Sequence, residues 1–214
     1  MSCINVKNYR PPAVNMKEIL RYAGAPEDRG DLIDLLRECL PEVSGRLSYR
    51  VCFGEFPVSI DGEWVDLGFT RSNSEDLRRA LSRASGVIVF SATVGIEMDR
   101  IIARYGRLSP AKGLLFQAIG AERVESLCAR FEKDMRKEYW VSGWKICPRF
   151  SPGYGDIPLS MQSDILNTLD AARQIGVTLG ESLLMSPTKS VTALMAITQL
   201  RGRDPLPLAC QMKL

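Results

Sequence analysis

The chain has 214 residues, enough for one large unit with a substantial core. Its 28 basic and 25 acidic residues leave a net charge of +3, too even a balance for a nucleic-acid binder, and no dense Lys/Arg stripe appears. There is no histidine, which excludes Ser-His-Asp and Cys-His catalysis, zinc sites with histidine ligands, and a histidine donated by this chain to cobalt.

Met1 to Pro12 lacks an apolar core of signal-peptide length, and no run approaches eighteen apolar residues. A cytoplasmic protein with no membrane span is therefore expected. Val14 to Gly24 reads as a short helix, capped by Asn15 and stopped by Gly24-Ala25-Pro26. Asp31 to Leu40 carries Leu32, Ile33, Leu35, Leu36 and Leu40 at amphipathic spacing, with Pro41 as its end. Leu47 to Phe53 alternates as a strand does. Phe56–Ile60 and Trp64–Leu67 flank Asp61-Gly62, a hairpin signal. Ser74 to Ser82 predicts a helix with a serine cap.

Gly86-Val87-Ile88-Val89-Phe90 is apolar throughout and predicts a central strand. Thr93-Val94-Gly95 reads as a strand-to-helix turn, since it has neither GxGxxG nor a Walker lysine. Ile96 to Tyr105 predicts a helix. Ser109 to about Glu138 predicts a second helical region, opened by Ser109-Pro110, with Gly120 as a break into two helices. Its charged stretch Glu132 to Glu138 has the spacing of a solvated face. Val141 to Phe150 is apolar and extended, with Pro148 at a strand end. Leu159 to Gly176 predicts a helix, and Val177 to Leu200 two short strands around Ser186-Pro187-Thr188-Lys189.

Helices and strands intersperse without strict βαβ alternation, so α+β is the expected class. Residues 1–45 are expected to be helical, 46–200 to form the α+β core, and 201–214 to be a loose tail. The six cysteines (Cys3, Cys39, Cys52, Cys128, Cys147 and Cys210) form no CxxC pair and read as small buried apolar residues in a reduced compartment.

The most unusual segment is Phe150-Ser151-Pro152-Gly153-Tyr154-Gly155-Asp156-Ile157-Pro158. Two glycines and two prolines in nine residues impose an irregular backbone, and glycine lets main-chain groups approach a ligand. Arg149, just before it, suits a carboxylate. Tyr154 adds a flat face and a hydroxyl. Chemistry alone leaves two readings open: a tight loop with Arg149 in a surface ion pair, or a cradle for a small ligand bearing a carboxylate, an amine and an aromatic base.

These residues resemble the activation domain of cobalamin-dependent methionine synthase. Arg149, Pro152, Gly153, Tyr154 and Pro158 match its Arg-Pro-Ala-Pro-Gly-Tyr-Pro-Ala-Cys-Pro segment, with Ser151 in place of an alanine. A second family segment, Lys-Leu-Thr-Glu-Ser, two residues, then Met-Trp-Pro-Gly-Ala-Ser-Val-Ser-Gly, is matched at Leu179, Glu181, Ser182, Met185, Pro187, Ser190 and Val191. Arg136 to Trp140 is similar to the end of the long family helix. The likeness spans about 130–195, and the first half looks more like the free-standing relatives of this domain. There are departures. Gly155-Asp156-Ile157 replaces Pro-Ala-Cys, and a helix glutamate aligns near Lys133, with Glu132 beside it. A second ligand-binding glutamate falls at Gly143, and an early aspartate has no counterpart.

The resemblance implies a mixed, largely antiparallel twisted sheet flanked by helices. It also implies reductive methylation: cob(II)alamin takes an electron from a flavodoxin- or ferredoxin-like donor, and the reduced cobalt takes the methyl group of S-adenosylmethionine. The cobalamin would be carried by a partner, a methionine synthase or similar methyltransferase, because this chain has no Asp-x-His-x-x-Gly segment. On this resemblance Arg149 binds the methionyl carboxylate, and backbone groups at Ser151 and Gly153 bind the ligand. Tyr154 meets the corrin and is the candidate catalytic residue, Glu181 and Ser182 support the pocket, and Glu132 is a further candidate contact. The alternatives are a reactivator of another corrinoid methyltransferase, or a corrinoid-protein chaperone that no longer uses S-adenosylmethionine.

Overall fold

The computed structural model describes residues 3–26 and 29–200. The expected loose tail from residue 201, Cys210 included, lies outside them. Five strands form one sheet: β1 (Asn5–Tyr9), β2 (Tyr49–Phe56), β6 (Gly86–Thr93), β7 (Trp144–Ile146) and β10 (Ser190–Gln199), in the order β1-β2-β6-β10-β7. Every neighbouring pair is antiparallel. A smaller sheet joins β3 (Ser59–Asp61), β4 (Trp64–Asp66) and β5 (Arg71–Ser72), and β8 (Thr178–Leu179) pairs with β9 (Met185–Ser186). The helices are α1 (Met16–Tyr22), α2 (Gly30–Val43), α3 (Glu75–Leu81), α4 (Ile96–Leu108), α5 (Pro110–Val141), α6 (Met161–Thr168) and α7 (Ala171–Ile175).

Alternation along the central strands puts two cores on the two faces of the sheet. Ile88, Phe90 and Ala92 of β6 with Ala193, Met195 and Ile197 of β10 pack against α1, α2, α4 and α5. Val87 and Val89 with Leu194 and Ala196 pack against α3, α6 and α7. The apolar run at 86–90 is the middle strand, as its composition predicts, and all eight residues of β6 are buried. Asn15, Ser74 and Ser109 cap their helices through side-chain oxygens.

The structure differs from the sequence reading in several places. Residues 5–9, within the part expected to be helical, form the edge strand β1 against β2. Pro41 does not end α2, which runs on to Val43, because proline's fixed φ is compatible with a last turn even though its missing N–H is not. Gly120 does not split α5, which is 32 residues long without interruption. A Cβ there would come within 2.9 Å of Lys189 and Met98, so the glycine serves close approach rather than a break. The segment from 159 to 176 is two helices, broken where Asp170 adopts φ 50. The last predicted short strand is the ten-residue β10, which pairs with both β6 and β7.

Of the described cysteines, Cys39, Cys52 and Cys128 are buried, Cys147 is half-buried and Cys3 is exposed, all of them free. Burial pushes the Cys52 thiol up to about 11 and that of Cys128 to about 12. Among the described residues no helix is long and apolar enough to cross a membrane.

Candidate functional site

A cavity of about 590 Å³ opens between α5, the 149–154 segment, α6, β9 and the start of β10. That volume lies within the usual range for small-molecule sites. Three walls come from distant stretches of chain. Glu125 projects from the middle of α5. Arg149, Phe150, Ser151, Pro152 and Tyr154 follow β7, and Ser190, Val191 and Thr192 begin β10. Met185 and Gln162 complete the lining. Phe150 is locked to β10 by paired backbone bonds with Leu194, at 3.0 and 2.8 Å, so the irregular loop starts from a rigid strand.

Arg149 is the charged centre. Its guanidinium donates to Glu125 and lies 3.7 Å from Glu132, whose carboxylate also accepts from Arg136 at 2.6 Å. Burial works against the charge on Arg149. The hydrogen bond to Glu125 and the Glu125 and Glu132 carboxylates outweigh it and hold the pKa above its ordinary value. Gln162 is buried and bridges two walls: its amide donates to Leu183 O at 3.3 Å and accepts from Thr192 at 3.4 Å. Ser190 donates to Pro187 O and shares a hydroxyl–hydroxyl bond with Thr93, and Thr188 is held by the Asp99 carboxylate of α4. The β10 wall is thus tied to β6 and α4.

The predicted site residues separate into two groups. Arg149, Ser151 and Tyr154 line the cavity together, Tyr154 at its rim and 74% exposed. Gly153 sits behind them with φ +87, and its N–H goes to Ile157 O at 2.9 Å, inside the turn. Glu132 lies beyond Arg149 and outside the lining. Glu181 and Ser182 are exposed on the turn between β8 and β9, outside the lining, while Met185 on the return strand reaches it. Sequence reasoning missed Glu125 and Gln162. The helix pattern carries no signal for the first, since of the α5 glutamates only Glu122 falls among its buried residues.

The loop is also fixed from outside. Asp156 accepts from Ser74 Oγ and from the backbone N–H of Glu75 (2.7 Å) and Asp76 (3.2 Å) at the start of α3. These bonds, that from Ser74 first, hold its carboxyl below the ordinary aspartate value against a smaller opposing cost of desolvation. A depressed folded pKa means that the stabilisation is complete above the unfolded value of about 3.9 and is lost as pH falls through the folded one. A carboxyl-carbon NMR titration is therefore expected to place the Asp156 midpoint below 3.9. A midpoint at or above it would contradict the bonding.

No curated protein matches the sequence. A crystal structure of the MetH reactivation domain bound to AdoHcy matches the fold with a TM-score of 0.68 at 16% identity, covering 96% of this chain and 81% of that one. The family described as vitamin B12 dependent methionine synthase, activation domain, matches residues 78–200, a stretch that contains every residue lining the cavity. The chain belongs to the family of vitamin B12-dependent methionine synthase activation domains.

Proposed function

We propose that this chain binds S-adenosylmethionine in the cavity over Arg149 and presents its methyl group to a corrinoid protein, reactivating it by reductive methylation. The observation that carries this reading is the guanidinium of Arg149 facing the carboxylate of Glu125 on the cavity wall. An amino-acid end group is a zwitterion. A fork for its carboxylate and an acceptor for its ammonium, side by side, form the complementary pair. Ser151, Gln162 and Thr192 supply the convergent polar groups that orient a ligand in a largely apolar cavity. The resemblance of the fold to a domain solved with AdoHcy supports the same ligand class.

When both are bound, a one-electron-reduced corrinoid supplies the nucleophile and S-adenosylmethionine the methyl group, leaving a methylated corrinoid and S-adenosylhomocysteine. No protein base is required. This chain's part is orientation: Arg149 and Glu125 fix the end group, and Tyr154, exposed at the rim, meets the incoming partner. Glu181 and Ser182 support Met185 through the turn they occupy. The partner in this reading is a cytoplasmic methionine synthase or a similar corrinoid methyltransferase, reduced by a flavodoxin- or ferredoxin-like protein.

The test is calorimetric titration with S-adenosylmethionine and S-adenosylhomocysteine, followed by mixing with a cob(II)alamin-loaded partner and a reductant. The absorbance of methylcobalamin is the expected product signal. Binding absent up to millimolar ligand would instead favour a chaperone that holds the corrinoid protein without the methyl donor.

Glu125 yields a prediction with a definite sign. If it accepts from the ligand ammonium, Glu125→Ala weakens binding about tenfold, the worth of one charge-assisted hydrogen bond. If it only competes with the ligand for Arg149, the same change tightens binding. The expected result is weakening, and a lower Kd for the variant would remove the ammonium role.

A further inference from the structure

The cavity wall at 151–155 is an awkward piece of chain. It has glycines at 153 and 155, and no proline between Pro152 and Pro158. Glycine-rich backbone loses more entropy on ordering than other backbone does, so a preformed wall needs an external restraint. Of the turn's own bonds, Gly153 N–H to Ile157 O at 2.9 Å is of ordinary length, Ile157 N–H to Tyr154 O at 3.2 Å is at the end of the ordinary range and Tyr154 N–H to Ser151 O at 3.4 Å is long.

We propose that Asp156 is a positioning residue for the ligand site: by clamping this turn onto the first turn of α3, it holds Ser151, Pro152 and Tyr154 at the cavity wall. The inference rests on the S-adenosylmethionine reading of that cavity. The clamp is reciprocal. The Asp156 carboxylate accepts from Ser74, Glu75 and Asp76, while its own N–H donates to Asp76 Oδ2 at 3.3 Å. Charge-assisted bonds to the free N–H groups of a first helical turn are among the stronger ones available to a carboxylate. Gly155 is what permits the approach. Its φ is +59, and a Cβ there would overlap the Asp76 carboxylate. The reference body is firm, because Leu77 and Leu81 of α3 are buried in the core. Ile157, the next residue, is buried in the same core, and its side chain anchors the far end of the turn by apolar contact. The carboxylate is therefore the directional part of the clamp and the isoleucine the non-directional part.

The division of labour makes the proposal testable without unfolding the chain. Asp156→Ala removes the three bonds to the carboxylate but leaves the backbone N–H of residue 156 on Asp76, Ile157 in the core and Ser74 capping Leu77 N–H. The expected result is about tenfold faster hydrogen exchange at the amides of Tyr154 and Ile157, unchanged exchange in β6 and β10, and about tenfold weaker S-adenosylhomocysteine binding by calorimetry. Asp156→Asn, which keeps one acceptor oxygen but not the charge, is expected to restore part of both. A purely structural role would instead raise exchange throughout α3 and the sheet and leave the Kd unmoved, and that pattern overturns the proposal. So does loop exchange at the wild-type rate in Asp156→Ala. If the wild type itself binds no ligand, the site reading fails, and the exchange measurement alone decides the clamp.

Discussion

Arg123→Ala is expected to cost about 3–5 kcal/mol of folding stability, the largest effect of any single substitution considered for this chain. Glu122 and Arg123 are adjacent in α5, and their side chains are only 2% and 3% exposed. The guanidinium donates to both carboxylate oxygens, at 2.5 and 2.6 Å, and to the carbonyls of Pro12 and Ala13 at 2.7 and 2.9 Å. The carboxylate also accepts from Asn15 N–H and Ser126 Oγ. Truncation therefore leaves a buried carboxylate and two carbonyls without their donor, which is the situation in which a buried pair is costly to break. For a chain of this size such a loss lowers the melting temperature by roughly 6–20 °C. The effect is directional as well. Residues 13–15 lead into α1, so their amides are expected to exchange faster first. A urea unfolding experiment showing less than about 1 kcal/mol would mean that the N-terminal segment is held by packing alone.

The second large effect belongs to the ligand. Arg149→Ala is expected to weaken S-adenosylmethionine binding by about 100-fold. A charge-assisted hydrogen bond contributes about 1.5–3 kcal/mol, and 1.4 kcal/mol is tenfold in affinity. Two bonds from one fork would give more, but the side chain is 24% exposed and part of the gain is screened. Arg149→Lys keeps the charge and loses the fork, so about tenfold is expected for it. Neither change should unfold the protein, because Glu125 is 38% exposed and its pairing with Arg149 contributes under about 1 kcal/mol. An unchanged Kd in the alanine variant would show the carboxylate role to be wrong.

The elements with local signatures were legible in the sequence. Asn15, Ser74 and Ser109 announce their helices by capping chemistry, and 86–90 announces a strand buried on both faces. The hairpin at Asp61-Gly62 is shifted by one residue. Asp61 still pairs with Trp64, and Gly62, with φ +58, opens the two-residue loop. What was hidden depends on contacts between distant residues. β1 is a largely polar edge strand, formed by pairing with the open side of β2 and by Val6 and Tyr9 packing against the cores. Gly120 looks like a breaker because Lys189, sixty-nine positions later, is not visible along the chain. Asp170 breaks a helix without glycine or proline to mark the place. In the site, Arg149 and its loop were legible from turn chemistry and from the family resemblance. Glu125 was not, since a glutamate in a long helix looks solvated until the fold brings Arg149 against it.

Two of the buried thiols and the missing imidazole remove several groups that would otherwise titrate or react near neutral pH. Histidine is the side chain whose ordinary pKa lies between 5 and 8, and none is present. Cys52 and Cys128 are pushed to about 11 and about 12, away from the thiolate form that would exchange electrons or react with a corrinoid. In a reconstituted system, an inflection near neutral pH cannot come from an imidazole of this chain or from those two thiols. Besides the exposed Cys3 and half-buried Cys147, the candidates are then the corrinoid protein, the reductant and the ligand's own amine, and the chain can be titrated against each of them in turn.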